Sequence, residues 1–447
     1  MTPHAYADDE IVAADVAVIG AGPGGIASAA CAAERGQRVV VIDRGSLPGG
    51  QIWRHLRDGA IPRVAAQWIS RFERSGARFI GTASVVDAHG ETRGFDLLVD
   101  ASGHAVSVRA RDIILATGAR ELFIPFEGWT LPGVMGIGGA QALLKSGASF
   151  TGKRVVIAGS GPLMLPVAAS LARSGARVVL VAEQASRVAV ARFAAALWRS
   201  PSMLAQAAKY RARFLSSPYS TGTWVTAAHG FGRLESVTVT DGKRTWREVV
   251  DVLCTGYGLI PNVELAQLLG CETRDGAVIV DERQRTSIAS VLAVGEATGI
   301  GGAPLALVEG EIAGSTVGVQ TSPSSSLTRR RSVLKSAARS MLDTFTPRAE
   351  LRALPTIDTI VCRCEDVKYG AVQHAICARQ AKLYARAGMG SCQGRTCMPG
   401  LDFLFAWQAD SVRPPIEPTP VSVLASDIAN SASSAYSINS SVGEAYQ

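Results

Sequence analysis

Asp15-Val16-Ala17-Val18-Ile19-Gly20-Ala21-Gly22-Pro23-Gly24-Gly25 decides the fold of this 447-residue chain. Residues 15–19 are a short Val- and Ile-rich run, the mark of a buried strand. A glycine-dominated turn follows. Residues 26–34 are Ala-rich and helical, and Gly36 ends that helix. Residues 38–42 form a second strand closed by Asp43. The result is a βαβ unit with G-x-G-x-x-G at Gly20, Gly22 and Gly25, and an acid 23 residues after the first glycine. Gly20 permits the tight turn, Gly22 lets the backbone approach a pyrophosphate, and Gly25 lets the helix lie close to the strand. With Pro23 and Gly24 at its start, the helix offers N–H groups and partial positive charge to phosphates. Asp43, with Arg44 beside it, is placed to accept hydrogen bonds from a ribose.

The unit recurs. Residues 155–158 form a strand, Gly159-Ser160-Gly161-Pro162 a turn, residues 167–173 a helix, and residues 178–181 a strand ending near Glu183. The third glycine of the pattern is replaced by Met164, and Pro166 removes a backbone donor in the first helical turns. Gly159, Gly161 and Glu183 therefore outline a degraded nucleotide pocket, open to ATP, NAD(P) or nothing. Three more apolar runs, residues 112–115, 251–254 and 291–294, stop at small residues, as strands do when they pass beneath a cofactor.

Composition narrows the function. Lys plus Arg is 45 against 38 for Asp plus Glu, a net charge of +7 that is spread out rather than striped, which argues against nucleic-acid binding. A hydrophobic content of 47% excludes wholesale disorder. Residues 1–10 carry three acids and no apolar stretch, and residues 12–33 are broken by Asp15 and the glycines. A secretion signal and a membrane span are both unexpected, and a cytoplasmic protein is the default.

These residues resemble the two-dinucleotide-binding flavoproteins of the glutathione-reductase-like class, an α/β fold in which one Rossmann domain interrupts another. The resemblance runs over residues 14–319. It implies an FAD domain from residues 1–120 and 258–320, and a second, NAD-like Rossmann domain at 121–257. Gly20, Gly22, Gly25 and Asp43 match the adenosine end. Ala116-Thr117-Gly118 matches the motif closing the first FAD segment, and Gly295-Glu296 the late motif that touches the flavin ribityl chain, with Glu in place of the usual Asp. Gly49-Gly50-Gln51 resembles the loop beside the flavin ring. No C-x-x-C or C-x4-C lies in this region, so disulfide-reductase chemistry is not expected. Cys31 and Cys254 read as small buried hydrophobes, and His55 as structural.

Four of the eight cysteines cluster late: Cys362-Arg363-Cys364, then Cys392-Gln393-Gly394-Arg395-Thr396-Cys397. The pairs are C-x-C and C-x4-C, 27 residues apart. C-x-C is cramped for tetrahedral zinc but suits a 2Fe–2S cluster, where each iron takes two thiolates. Cys377, between the pairs, is not expected to be a ligand. Residues 321–345 read as a linker and helix whose basic run (Arg329, Arg330, Arg331, Lys335 and Arg339) is a solvated face. Proline punctuates residues 412–420 as an extended strap, and residues 426–447 are Ser- and Asn-rich and read as disordered.

The stretches at residues 359–367 and 386–397 resemble the small α-rich 2Fe–2S domain of the bacterioferritin-associated-ferredoxin type, here residues 346–425. That domain ends the alpha subunits of heteromeric amino-acid dehydrogenases. Gly133-Val134-Met135, Pro261-Asn262-Val263-Glu264-Leu265 and Gly299-Ile300-Gly301-Gly302 extend the resemblance over most of the chain. It implies an electron-transfer subunit carrying FAD and a 2Fe–2S cluster on Cys362, Cys364, Cys392 and Cys397. A partner beta subunit of the D-amino-acid-oxidase type would oxidise an amino or imino acid of opine, D-hydroxyproline, proline or glycine type, with room for a small ferredoxin-like subunit. Electrons would pass to a respiratory or dye-like acceptor, and peripheral membrane association stays open. Other readings of the same residues are a stand-alone NAD(P)H-dependent reductase and a redox-sensing binding module.

Overall fold

The computed structural model describes residues 10–53, 61–91, 94–196, 201–215, 217–319, 321–407 and 412–426. His55 and most of the expected disordered tail lie outside them.

The chain opens on β1 (Glu10–Ile19), α1 (Pro23–Ala33) and β2 (Val39–Ile42). Next come α2 (Arg63–Arg74), β3 (Arg78–Ile80), β4 (Ala83–Glu91), β5 (Gly94–Ala101) and β6 (His104–Leu115). These strands order as β3-β2-β1-β6-β5-β4, parallel from β3 to β6 and antiparallel beyond. β1 and β6 are longer than their apolar cores predict, because the outer half of β6 turns to pair with β5. Both faces of the parallel part are covered, so β2 is buried at every position and reads as an unbroken Val-Val-Val-Ile run. Each such side chain contributes about 1.5–3 kcal/mol by leaving water.

A two-stranded crossing then carries the chain out and back. β7 (Ala119–Glu121) leaves, and after the second sheet β16 (Leu259–Pro261) returns beside it in antiparallel register. Between them lie β8 (Val134–Gly136), α3 (Ile137–Lys145), β9 (Arg154–Gly159), α4 (Met164–Arg173), β10 (Arg177–Glu183), α5 (Arg187–Ala196) and α6 (Pro201–Arg211). β11 (Tyr219–Thr221), the meander β12 (Trp224–His229), β13 (Ser236–Thr240) and β14 (Thr245–Val249), and β15 (Val252–Gly256) complete this part. Its parallel sheet is ordered β11-β10-β9-β15-β8. Pro166 does not cost the helix the hydrogen bond that its missing donor implied. It falls on the third residue of α4, where a backbone N–H has no helical partner to lose.

After β16 the chain adds α7 (Glu264–Leu268), a short hairpin of β17 (Thr273–Arg274) and β18 (Ala277–Val278), and β19 (Val291–Ala293), which pairs with β6. α8 (Ala303–Thr316) packs on α1. α9 (Ser325–Phe345) follows, its first turn capped by the Ser324 hydroxyl, which accepts from Leu327 N–H. The basic run here is not wholly a solvated face. Arg331 is 8% exposed, lies 3.6 Å from the buried Glu309 of α8 and donates to Asp281 O. A carboxylate inside the core needs a cation beside it, and a helix face predicted as polar supplies one.

The C-terminal part holds the hairpin of β20 (Ile360–Cys362) and β21 (Val367–Lys368), then α10 (Ala378–Ala385) and α11 (Cys397–Phe405). Val361, Cys362, Val367, Val372, Ala387, Cys397, Leu401 and Trp407 share a small core. The Trp129 indole donates to Ile360 O at 2.6 Å, tying this core to the segment after β7. Among the described residues, no helix is long and apolar enough to cross a membrane.

Candidate functional site

Strands β1, β2, β6 and β19 all end at one edge of the first sheet, at Gly20, Asp43, Ala116 and Gly295. In an open α/β sheet that carboxyl edge is where ligands bind. Gly20 has φ +107°, and a Cβ there would stand 2.2 Å from Ala116 O. A Cβ on Gly25 would stand 1.8 Å from Gly20 O, so α1 sits against the turn as the motif requires. At Gly22, which precedes α1 with Pro23 in its first turn, a Cβ would meet nothing within 4 Å. The turn is open where a pyrophosphate would approach.

The predicted neighbours gather around it. Asp43 Oδ2 accepts from Ala21 N–H and Oδ1 from Gly45 N–H, both at 2.6 Å, which fixes the carboxylate across the turn. Gly49 N–H donates to Ala21 O, and Gly50 sits over Gly22. Gln51 beyond it is exposed. Gly24 lies beside Val294 and Gly295. Thr117 Oγ1 donates to Asn262 O, and the Asn262 amide donates back to Thr117 O. Glu296 is held by Gly302 N–H on Oε1, while its Oε2 is buried with no partner. Burial pushes the Glu296 carboxyl above its usual range. An orphaned buried acceptor beneath a cofactor edge fits a hydroxyl donor such as a ribityl group.

The second turn has a different surrounding. Gly161 N–H donates to Glu183 Oε2 and Ala185 N–H to Glu183 Oε1, so the Glu183 carboxylate is fixed to its own backbone much as Asp43 is at the first turn. Glu183 is fully buried, and burial raises its carboxyl to about 7. A Cβ on Gly161 would meet the Phe345 side chain at 3.8 Å. Met164, where the third glycine would be, is buried under the sheet.

The four late cysteines, split between two loops, come together. Cys362 and Cys397 are buried, Cys392 is half-buried and Cys364 is exposed. The Cys397 thiol meets Cys362, and the Cys392 thiol meets Cys364. Burial pushes the Cys397 thiol up. At Cys392 burial acts the same way, but hydrogen bonds from Thr396 and Cys364 outweigh it and hold that thiol below its usual range. Gly390 packs on Cys364, where a Cβ would stand 2.3 Å from the Cys364 Cβ. Among the described residues, no three His, Cys, Asp or Glu side chains converge on a point that would hold a single metal ion. The arrangement is two sulfur pairs side by side. Cys377 is the N-cap residue of α10, with no side-chain cap hydrogen bond.

The sequence profile of the pyridine nucleotide-disulphide oxidoreductases matches residues 14–319. The chain belongs to that family. Its relatives include a hydrogen cyanide synthase component, HcnB of Pseudomonas aeruginosa, which is 32% identical over 85% of this chain and 90% of that one. An opine oxidase subunit of Rhizobium meliloti is 32% identical over 90% of this chain and 96% of its own length. The sarcosine oxidase alpha subunit of a Corynebacterium shares 32% identity over 40% of this chain and 20% of its own length. In fold, the L-proline dehydrogenase of P. horikoshii superposes with a TM-score of 0.68 at 18% identity, over 94% of this chain and 81% of that one. This is a flavin-dependent oxidoreductase family, and the three sequence relatives are subunits of hydrogen cyanide synthase, opine oxidase and sarcosine oxidase.

Family membership does not bring a redox disulfide with it. Cys31 on α1 is half-buried, and Cys254 on β15 is wholly buried, its thiol raised to about 12 by burial. Three groups carry no local sequence signal. Glu121 is buried and accepts from Gly138 and Gly139 N–H at the start of α3. Arg120 pairs with Glu264 at 2.7 Å. Glu417, in the proline-punctuated strap, pairs with both Arg44 and Arg395.

Proposed function

We propose that this chain is the electron-transfer subunit of a heteromeric amino-acid or imino-acid dehydrogenase and carries FAD and a 2Fe–2S centre. The residues of the first turn would hold FAD. Gly20, Gly22, Pro23, Gly24 and Gly25 offer the α1 N-terminus to its pyrophosphate. Asp43 and Arg44 face the ribose end, and Gly50 and Gln51 the ring side. Ala116, Thr117 and Gly118 line the sheet edge, and Glu296, whose Oε2 is buried without a partner, would accept from a hydroxyl of the ribityl chain. Cys362, Cys364, Cys392 and Cys397 would hold the cluster. When bound, the flavin accepts two electrons and releases them singly, and the cluster relays one at a time.

The observation that carries this reading is that the two cysteine loops face each other with Cys397 beside Cys362 and Cys392 beside Cys364. A binuclear centre takes two thiolates per iron, so paired sulfurs suit it where a single ion would need all four on one point. A second observation ties the two sites. Arg395, inside the C-x4-C loop, reaches Glu417 at 3.0 Å, and Glu417 reaches Arg44 beside Asp43. The strap itself is fastened to the first sheet, with Ile416 N–H donating to Val86 O and Val423 buried against Leu98.

The chain's own residues bind and orient; none of them is needed to take a proton from an amino acid. That step belongs to the partner subunit, which the relatives' status as subunits supports. Anaerobic purification tests the reading. The wild-type chain is expected to carry FAD with about two irons and two acid-labile sulfides. Cys392→Ala should lose iron and sulfide and keep FAD, and full iron content in that variant would remove the ligand assignment. Co-expression with a D-amino-acid-oxidase-like partner should restore dye reduction with an opine, proline or glycine as donor.

A further inference from the structure

The dinucleotide site of the second Rossmann unit is built, but its contacts are spent within the chain. In such a site the second glycine leaves room for the pyrophosphate, a turn N–H donates to it, and the acid at the end of the next strand holds the ribose. Here Gly161 faces the Phe345 side chain. Its N–H donates to Glu183 at 2.9 Å, and Glu183 also accepts from Ala185 N–H; Asp43 is tied to Ala21 and Gly45 in the same way, so what sets the second turn apart is the chain segment that covers it.

Residues 345–348, where α9 ends, supply the remaining contacts. The Ser160 hydroxyl donates to Phe345 O at 2.6 Å and accepts from the Gln184 amide at 2.8 Å. The same amide donates to Thr346 O at 3.1 Å, and Gln184 Oε1 accepts from Arg348 N–H. The Phe345 ring packs edge-on against Phe193 of α5, with centroids 5.2 Å apart. Two backbone carbonyls and one N–H of the segment thus pair with residues that flank the turn, and an aromatic ring covers its glycine.

We infer that residues 345–348 act as an internal ligand of the second Rossmann unit and exclude nicotinamide dinucleotides from it. Ser160, Gln184 and Phe345 are then specificity-determining residues: they reject NADH and NADPH as hydride donors, so reducing equivalents enter through another redox partner. The argument uses neither the flavin nor the cysteines, and it stands whether or not the proposed cluster forms.

Two measurements on the full chain test it, both with excess FAD present so that the first turn is not the site being read. Nicotinamide fluorescence titration should show neither NADH nor NADPH binding with a dissociation constant below about 1 mM. Hydrogen exchange should show the Arg348 amide of the segment protected, unchanged by either dinucleotide, and at least about tenfold faster to exchange in Gln184→Ala. Saturable micromolar binding of either dinucleotide to the wild type would overturn the inference. So would unaltered exchange of the Arg348 amide in Gln184→Ala. Neither readout depends on iron, so failure here and failure of the proposed electron-transfer role are separate results.

Discussion

Gly22 and Gly161 hold the same place in two copies of one motif, yet a side chain added at Gly22 would meet open space and one at Gly161 would meet Phe345. The acids differ in parallel. Asp43 is half-buried at the sheet edge, whereas Glu183 is sealed and raised to about 7 by burial. The third glycine separates them too: Gly25 lets α1 touch the first turn, and Met164 fills the matching space in the second. A duplicated motif keeps its backbone shape when it loses a ligand, because strand, turn and helix are fixed by local sequence. The ligand is fixed by what occupies the space above the turn.

That contrast can be broken most sharply at the two glycines. Gly22→Val should leave the fold intact and weaken FAD retention at least ~100-fold, since the added side chain enters only the pyrophosphate approach. Equilibrium dialysis with melting curves checks this, and a yellow holoprotein of ordinary affinity would move the flavin elsewhere. Gly161→Val should do the reverse. At φ +98° a branched residue is strained, which costs about 1–3 kcal/mol. The melting temperature is expected to fall while FAD affinity stays within about twofold.

The acids give a pH test. The folded-state pKa of Glu183 lies above its unfolded value of 4.5, so its contribution to stability is full below pH 4.5 and is lost as pH rises to about 7. The loss is at most ~3 kcal/mol. Denaturant unfolding of the wild type should fall across that window more steeply than that of Glu183→Gln, and parallel curves would show that the buried carboxyl does not titrate there. The smallest effect belongs to the strap. Arg44 is 61% exposed on its side chain, so Glu417→Gln should weaken FAD binding by only about threefold. No change at all would mean that the strap does not steady the adenosine end.

Much of this was legible in residues that act close to where they sit. The βαβ unit, its glycines and Asp43 are local patterns with a fixed structural meaning, and the two cysteine loops are marked by their spacing. Other readings needed contacts that no spacing encodes. Arg331 looked like one more solvated cation, and only the packing of α9 on α8 places it against Glu309. Pro166 looked disruptive until α4 proved to start two residues before it. Phe345 meets Ser160 across 185 positions, and Glu417 bridges two arginines from opposite ends of the chain.

The sequence by itself determined the two parallel sheets, the two glycine turns and the C-x-C and C-x4-C cysteine spacing, because hydrophobic period and glycine geometry act over a few residues. Only the tertiary structure decided which turn remains accessible and which is filled by the chain's own residues 345–348, and how the cysteine loop is fastened to the first sheet. Those outcomes rest on close packing and on pairing every buried polar group, and both are settled by neighbours that are distant in sequence.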